Sequence, residues 1–406
     1  MILTNTPINR LESSTQTRLE RLIQENLDTV FPACALAVIK NGETVLDKGW
    51  GAVEGTPASA DTLFDLASVT KLFTVTSFLS FVSAGRVNLD DPLTSVVPEF
   101  GALNPRTMDG GQDPHSKVRL PTPEDFIGKT IDPHRITFRH LLTHTSGLPA
   151  WRDVYNAAGP APTPPDQTDP IPRAQRWATG LQAIYAYPFI GIPGERVVYS
   201  DIGLILLGEA TARLGHGTLD QVIQQRVLNP LNLSSPRFNP IREGQIARDL
   251  IAPTEDDPTW RKRRVWGEVH DENACGLGGV SGHAGLFAAA RDVAAFGQAW
   301  LSQPQQAFGI DHALAQEAKR EQAETDGMRR GLGFVIKAYE GASAGDLFSI
   351  NTYGHTGFTG TSLWIDPDNH LVVACLTNSV YPGRGKPGTL EFRRAVHDLL
   401  AEALNN

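Results

Sequence analysis

The sequence predicts a two-lobed α/β protein, an antiparallel sheet flanked by N- and C-terminal helices with a mainly helical lobe inserted into it. Three observations carry this. Strand-like runs cluster at both ends of the chain, at 33–40 and 43–49 and again at 332–339, 349–353, 360–365 and 370–377. Short turns join neighbouring runs, Asn41-Gly42 in the first pair and Asp366-Pro367-Asp368-Asn369 in the last, and such turns allow only antiparallel pairing. The middle of the chain carries helical periodicity between Pro-rich stretches. The boundaries that follow are a sheet lobe of residues 1–95 plus 283–406 and a mainly helical lobe of residues 96–282.

The elements follow in order. Leu11, Leu19, Leu22, Ile23 and Leu27 recur at helical spacing and predict an N-terminal helix. After the Asn-Gly hairpin and a polar loop, 69–84 reads as an apolar helix closed by Gly85. Residues 102–134 and 157–173 are Pro-rich and aperiodic and read as long loops. Helical patterns occupy 137–142, 174–185, 202–214 and 219–228, and a last one spans 390–404.

Composition narrows the function. With 41% hydrophobic residues over 406 positions the chain can bury a sizeable core. A net charge of −9 argues against nucleic acid or an anionic membrane as partner. The basic run Arg261-Lys262-Arg263-Arg264 stands against that balance and reads as a solvated loop, or else as a positive rim for acidic substrates. Cys34, Cys275 and Cys375 are far apart and outside any C-x-x-C pair, so they read as small buried hydrophobes. Met1–Arg10 lacks the pattern of a signal peptide and no run approaches a membrane span, so a cytoplasmic location is expected.

The chemistry centres on Ser68-Val69-Thr70-Lys71, the chain's S-x-x-K. Positions i and i+3 share a helix face, so the amine can reach the hydroxyl and accept its proton. Ser68 at a helix N-terminus also gains backbone N–H groups for a developing oxyanion. Alone, the motif is equally an N-cap and a surface lysine. Two further elements stand in order behind it: Tyr199-Ser200-Asp201 before the helix at Ile202, and His355-Thr356-Gly357 ending a C-terminal strand, followed by Phe358. A tyrosine beside a Ser–Lys pair can share proton transfer, and a strand edge can donate an N–H to the oxyanion.

This ordered set resembles the serine β-lactamase and penicillin-binding-protein (DD-peptidase) superfamily, nearest its class C branch with related carboxypeptidases and esterases. The resemblance covers nearly the whole chain, with His140–Pro149 and Gly282–Phe287 as further landmarks. It implies Ser68 as nucleophile, Lys71 as its activating partner, Tyr199 as proton-transfer residue, and the N–H groups of Ser68 and Phe358 as oxyanion hole. It implies substrate contacts from Asp201, His355, Thr356 and Gly357. Two positions depart from the family pattern. Asp201 replaces an amide; its carboxylate would raise the pKa of Lys71 if it faced the amine, or would cap the helix at Ile202. His355 replaces a lysine, making a positive charge there conditional on pH.

Rival constellations are weaker. Gly341-Ala342-Ser343-Ala344-Gly345 matches a nucleophile elbow, but strand-like runs flank it on both sides and no helix follows. His140 and His144 lack the glutamate of a zinc helix, and His270-Asp271-Glu272-Asn273 reads as a hydrogen-bonded cleft wall. No phosphate-binding loop or dinucleotide fingerprint is present, so no cofactor and no metal are expected. The expected activity is acyl transfer to water through an acyl-enzyme, on an amide, β-lactam or ester of small-molecule or short-peptide size. A carboxylesterase, or a penicillin-binding sensor that acylates once, would use the same scaffold.

Overall fold

The computed structural model describes residues 8–244 and 246–405; most of the Met1–Arg10 segment lies outside them. Its centre is a ten-stranded sheet. In chain order the strands are β1 (Ile8–Asn9), β2 (Ala33–Lys40), β3 (Glu43–Val53), β4 (Ala323–Thr325), β5 (Met328–Arg330), β6 (Val335–Ile336), β7 (Tyr353–Thr356), β8 (Ser362–Asp366) and β9 (Leu371–Thr377). Their order across the sheet is β1-β3-β2-β9-β8-β7-β6-β5-β4, with Thr56–Pro57 added beside β3. Every pairing is antiparallel, as the short turns require. Strands from the two ends of the sequence meet at β2 and β9, where Cys375 stands opposite Leu36.

Period-2 alternation divides the central strands between two cores. Ala35, Ala37, Val372, Ala374 and Leu376 join the larger core, which continues into the helical half. Leu36, Val38, Leu371, Val373 and Cys375 face the smaller one. There helix α1 (Ser13–Asn26) contributes Leu19 and Ile23, and the C-terminal helix Thr389–Leu404 contributes Phe392, Val396 and Leu400. Each such side chain stabilises by about 1.5–3 kcal/mol on burial. Cys34, Cys275 and Cys375 are buried free thiols.

The helix that bears Lys71, α2 (Thr70–Ser83), is buried around nearly its whole circumference. The remaining helices that matter to the site are α3 (Phe138–Leu142), α4 (Arg173–Ile184), α5 (Asp201–Leu214), α6 (Glu272–Gly276), α7 (Ala290–Ser302) and α8 (Thr389–Leu404). Helix α5 crosses close to the segment before α7 because Gly208 and Gly282 lack side chains; a Cβ on Gly282 would overlap Gly208 and the carbonyl of Leu204.

The C-terminal strands differ in detail from the sequence reading. The run 332–339 contributes only Val335–Ile336, because Gly333 adopts a positive φ and turns the chain out of β geometry. The strand expected at 349–353 begins instead at Tyr353 and runs to Thr356. The basic run is not a solvated loop: Arg261 is buried and donates to the carbonyls of Val269 and His270 at 3.0 and 2.8 Å, and Arg263 pairs with Glu268 at 2.7 Å.

Candidate active site

Ser68 sits in a single 3-10 turn, Ala67–Val69, leading directly into α2. Ala67 before it has φ +46°, a conformation that costs a non-glycine residue about 1 kcal/mol or more. The buried Asp65 carboxylate holds this strained turn, accepting the Ala67 N–H at 2.8 Å and the His270 N–H at 2.6 Å.

Lys71 lies one turn on, only 1% exposed. Its Nζ donates to Ser68 Oγ at 2.8 Å and to the His283 carbonyl at 3.0 Å, and stands 2.7 Å from Asp201 Oδ1. Burial pulls its pKa down, but Asp201 and Tyr199 outweigh that and the net shift is upward. At neutral pH the resting group is therefore an ammonium.

Tyr199 and Asp201 arrive on the turn before α5. The cap of that helix is Ser200, whose Oγ accepts the Gly203 N–H at 3.0 Å and donates to the Pro149 carbonyl at 2.6 Å. Asp201 is thus free of the capping role and faces Lys71. The Tyr199 ring lies 4.9 Å from Lys71 Nζ, and Lys71 and Ser68 both act to stabilise the ionised form of its hydroxyl. Burial raises its pKa against the opposing pull of Lys71, so it rests as a phenol.

Phe358 follows β7. Gly357 N–H donates to Thr361 O at 2.7 Å, while Thr359 and Thr361 hydroxyls donate to the carbonyls of Asp65 and Leu66 at 2.7 and 2.9 Å. Buried Arg393 on α8 clamps the same turn, donating to the carbonyls of Gly357 and Thr361 at 2.9 and 2.7 Å. These bonds stitch the strand edge to the residues just before Ser68. Among the described residues, neither the Ser68 nor the Phe358 N–H donates to a backbone carbonyl, which leaves both available to an oxyanion. Both residues line a cleft of about 850 Å³ that also takes in Tyr199, Asp201, Thr356 and Gly357.

His355 lines that cleft but carries no conditional charge near neutrality. It is buried, and burial together with Lys71 and Arg330 drives its pKa well below the usual imidazole range. Its Nδ1 lies 2.7 Å from the Thr356 carbonyl, which can only accept, so Nδ1 holds the proton and Nε2 presents a lone pair. The expectation of a pH-switched cation is corrected accordingly.

The rivals are placed elsewhere. The Gly341–Gly345 turn packs near Arg394 and Asp398 of α8, and Ser343 does not line the cleft. His140 takes part in the capping box of α3. His144, with φ +59°, accepts the Ser200 N–H on Nδ1 at 3.0 Å and packs 4.7 Å from the Tyr199 ring. His270, Asp271 and Glu272 do form a cleft wall. There Arg384 pairs with Glu255 and Glu272, and His270 stacks on Phe358 at 5.6 Å. Sequence reasoning missed Asp65, Arg330 and Arg393, and had His144 and His283 only within landmark stretches, without a role at the site. Asp65 had a signal in lying three residues before Ser68; Arg330 and Arg393 act through folded proximity and carbonyls and left none.

A serine held by a buried lysine and a tyrosine, facing two free N–H groups across a sheet edge, defines a serine hydrolase with the β-lactamase/transpeptidase fold. The chain belongs to the beta-lactamase family, whose model matches residues 19–398. It is 31% identical over 391 residues to a protein of Salmonella agona (strain SL483) described as "Putative D-alanyl-D-alanine carboxypeptidase", covering 89% of this chain and 82% of that one. An Escherichia coli (strain K12) protein of the same description is 30% identical over 389 residues, covering 89% and 81%. Among solved structures, EstCE1, a hydrolase with promiscuous acyltransferase activity, superposes with TM-score 0.68 at 20% identity, covering 95% of this chain and 98% of that chain. Unliganded simvastatin synthase from Aspergillus terreus gives 0.70 at 19%, covering 96% and 98%. A penicillin-binding protein homologue from Pyrococcus abyssi gives 0.66 at 20%, covering 96% and 78%. These structural likenesses establish the fold.

Proposed function

We propose that the chain hydrolyses short peptides or related amides through an acyl-enzyme on Ser68, in the manner of a D-amino-acid carboxypeptidase. The observation that carries this is Lys71 Nζ at 2.8 Å from Ser68 Oγ, with Asp201 and the His283 carbonyl holding its remaining contacts. In the minor form where Lys71 is an amine, it takes the Ser68 proton as Oγ adds to the acyl carbon. The ammonium so formed is stabilised by Asp201. Tyr199 gives its phenolic proton to the leaving amine and recovers one from Lys71, so the serine proton leaves with the departing group. Water then attacks the acyl-enzyme by the same relay in reverse, restoring Ser68. The N–H groups of Ser68 and Phe358 receive the oxyanion in both steps. The description of the curated relatives supports the peptide reading.

A second reading, ester hydrolysis or acyl transfer, draws on the apolar cleft wall of Trp151, Val335, Phe358, Val380 and Leu390, which suits an acyl chain. The test is intact-protein mass spectrometry after a β-lactam or a fluorophosphonate, with peptide mapping of the adduct. It is paired with turnover of an acylated D-alanyl-D-alanine peptide and a p-nitrophenyl ester. An adduct on Ser68 with release of the terminal amino acid supports the peptide reading. Ester turnover without peptide cleavage supports the second, and no adduct on Ser68 overturns both.

A further inference from the structure

Three arginines line the cleft, and two of them donate to acceptors within the protein. Arg384 is paired with Glu255 and Glu272, and Arg393 is bonded to the carbonyls of Gly357 and Thr361. Arg330, at the end of β5, differs. Among the described residues its side chain donates to no acceptor and meets no carboxylate at ion-pair distance, and its Nε, like that of Arg393, is buried without an acceptor. Its guanidinium carbon sits 5.3 Å from the centroid of the Tyr199 ring, the same ring that Lys71 approaches to 4.9 Å. The other charges around that ring cancel or vanish: Lys71 is matched by Asp201, while His144 and His355 are held neutral. Arg330 therefore remains an uncompensated positive charge beside the proton-transfer tyrosine, in a partly dehydrated pocket.

Such a cation is costly to hold without an anion, and a guanidinium fork fits a carboxylate with two parallel hydrogen bonds. We propose that Arg330 is the substrate's anion anchor, receiving a carboxylate carried by the leaving group of the scissile bond. The position of Tyr199 sets which side of the substrate this is, since the tyrosine delivers its proton to the departing atom; to that extent the inference rests on the relay proposed above. His355 is complementary to this arrangement. Its Nε2 lone pair repels a carboxylate and accepts a substrate N–H or O–H, so the family's usual division of labour is altered: the strand edge supplies the acceptor and the neighbouring β5 supplies the charge. Val335, cross-strand partner of Arg330, lines the cleft beside it.

The test uses the full chain with Arg330→Gln and Arg330→Lys. An acylated dipeptide with a free terminal carboxylate and its terminal carboxamide form the substrate pair. In Arg330→Gln the carboxylate-to-carboxamide ratio of kcat/KM should fall at least about tenfold, chiefly through KM, with partial recovery in Arg330→Lys. A parallel loss for both substrates, or an unchanged ratio, overturns the assignment. Binding is measured separately by calorimetry in a Ser68→Ala background, where no acylation is required. There the carboxylate dipeptide should bind at least about tenfold more weakly once Arg330→Gln is added. Equal binding overturns the anchor even if Ser68 proves to be the nucleophile. Weakened binding sustains it even if the acyl-enzyme reading fails.

Discussion

Lys71 Nζ and Asp201 Oδ1 stand 2.7 Å apart, the ammonium sealed from solvent and the carboxylate partly open to the cleft. Burying both charges is expensive, and the Coulombic gain only offsets that cost when further hydrogen bonds satisfy the pair. Here Ser68 Oγ and the His283 carbonyl complete the lysine's shell. The pair fixes the amine against Ser68 Oγ, but it also stores Lys71 in its protonated form. Reactivity and positioning are therefore set in opposition by one carboxylate.

Replacing Asp201 with Asn tests that opposition. The carboxylate raises the pKa of Lys71, and the reaction requires the amine, so the acidic limb of kcat/KM marks loss of this proton. Removing the negative charge lowers the lysine pKa, and the limb should move to lower pH by about 1–2 units. The plateau rate at high pH should fall, because the weaker base accepts the serine proton less readily. Measured from about pH 5 to about pH 10, the wild-type rate should still be climbing at the upper end while Asp201→Asn levels off earlier, and profiles of identical shape would contradict this account.

Ser68→Ala should reduce hydrolysis of every substrate by at least about 10³-fold while leaving the fold intact. Lys71 keeps Asp201 and the His283 carbonyl in this variant, so no buried charge is stranded. Thermal unfolding should shift by no more than a few degrees. Wild-type turnover in the variant, or an active-site probe carried on Ser343, would displace the assignment.

Much of this was legible in the sequence because it depends on spacing along the chain. The Asn41-Gly42 turn, the apolar runs 33–40 and 370–377, and the i, i+3 relation of Ser68 to Lys71 are local and survive folding unchanged. What was hidden depends on groups that meet only in three dimensions. The role of Asp201 was ambiguous because Ser200 and Asp201 are both good cap residues, and the choice between them is decided by the Pro149 carbonyl. The neutrality of His355 follows from burial beside Lys71 and Arg330, which lie 284 and 25 positions away. The buried Arg261 looked solvated because its hydrogen-bond acceptors are the carbonyls of Val269 and His270, which no side-chain pattern announces, even though Asp257 lies 3.8 Å from it.

Gly357→Ala should impair catalysis more than stability. A Cβ there would overlap Thr361 Oγ1 and the Leu66 carbonyl, pushing the strand edge away from the segment before Ser68. The Phe358 N–H would move with it, and loss of one oxyanion donor typically costs about 10²–10³-fold in kcat. KM should change little. Steady-state kinetics beside a melting curve separates the cases; a stability loss with kcat intact would remove Phe358 N–H from the oxyanion hole.

Stability should fall as the solution is acidified from about pH 7 to about pH 5. His144 and His355 are buried and held well below the usual imidazole range, and burial lowers His397 on α8 to about 4. In the unfolded chain each titrates near pH ~6.5. Between the folded and unfolded values the unfolded state binds more protons, so each histidine contributes stability that is present above about pH 6.5 and lost below it, at about 1.4 kcal/mol per pH unit once well below that value. With His140, also lowered by burial, four such groups acting together should make urea midpoints drop steeply in this window. His397 lies outside the cleft, its Nδ1 directed at the Arg393 carbonyl at 2.5 Å. His397→Gln should therefore remove about a quarter of the pH slope. Urea denaturation of both proteins at several pH values decides it. A slope unaltered by the substitution would mean that His397 is already protonated in the folded protein.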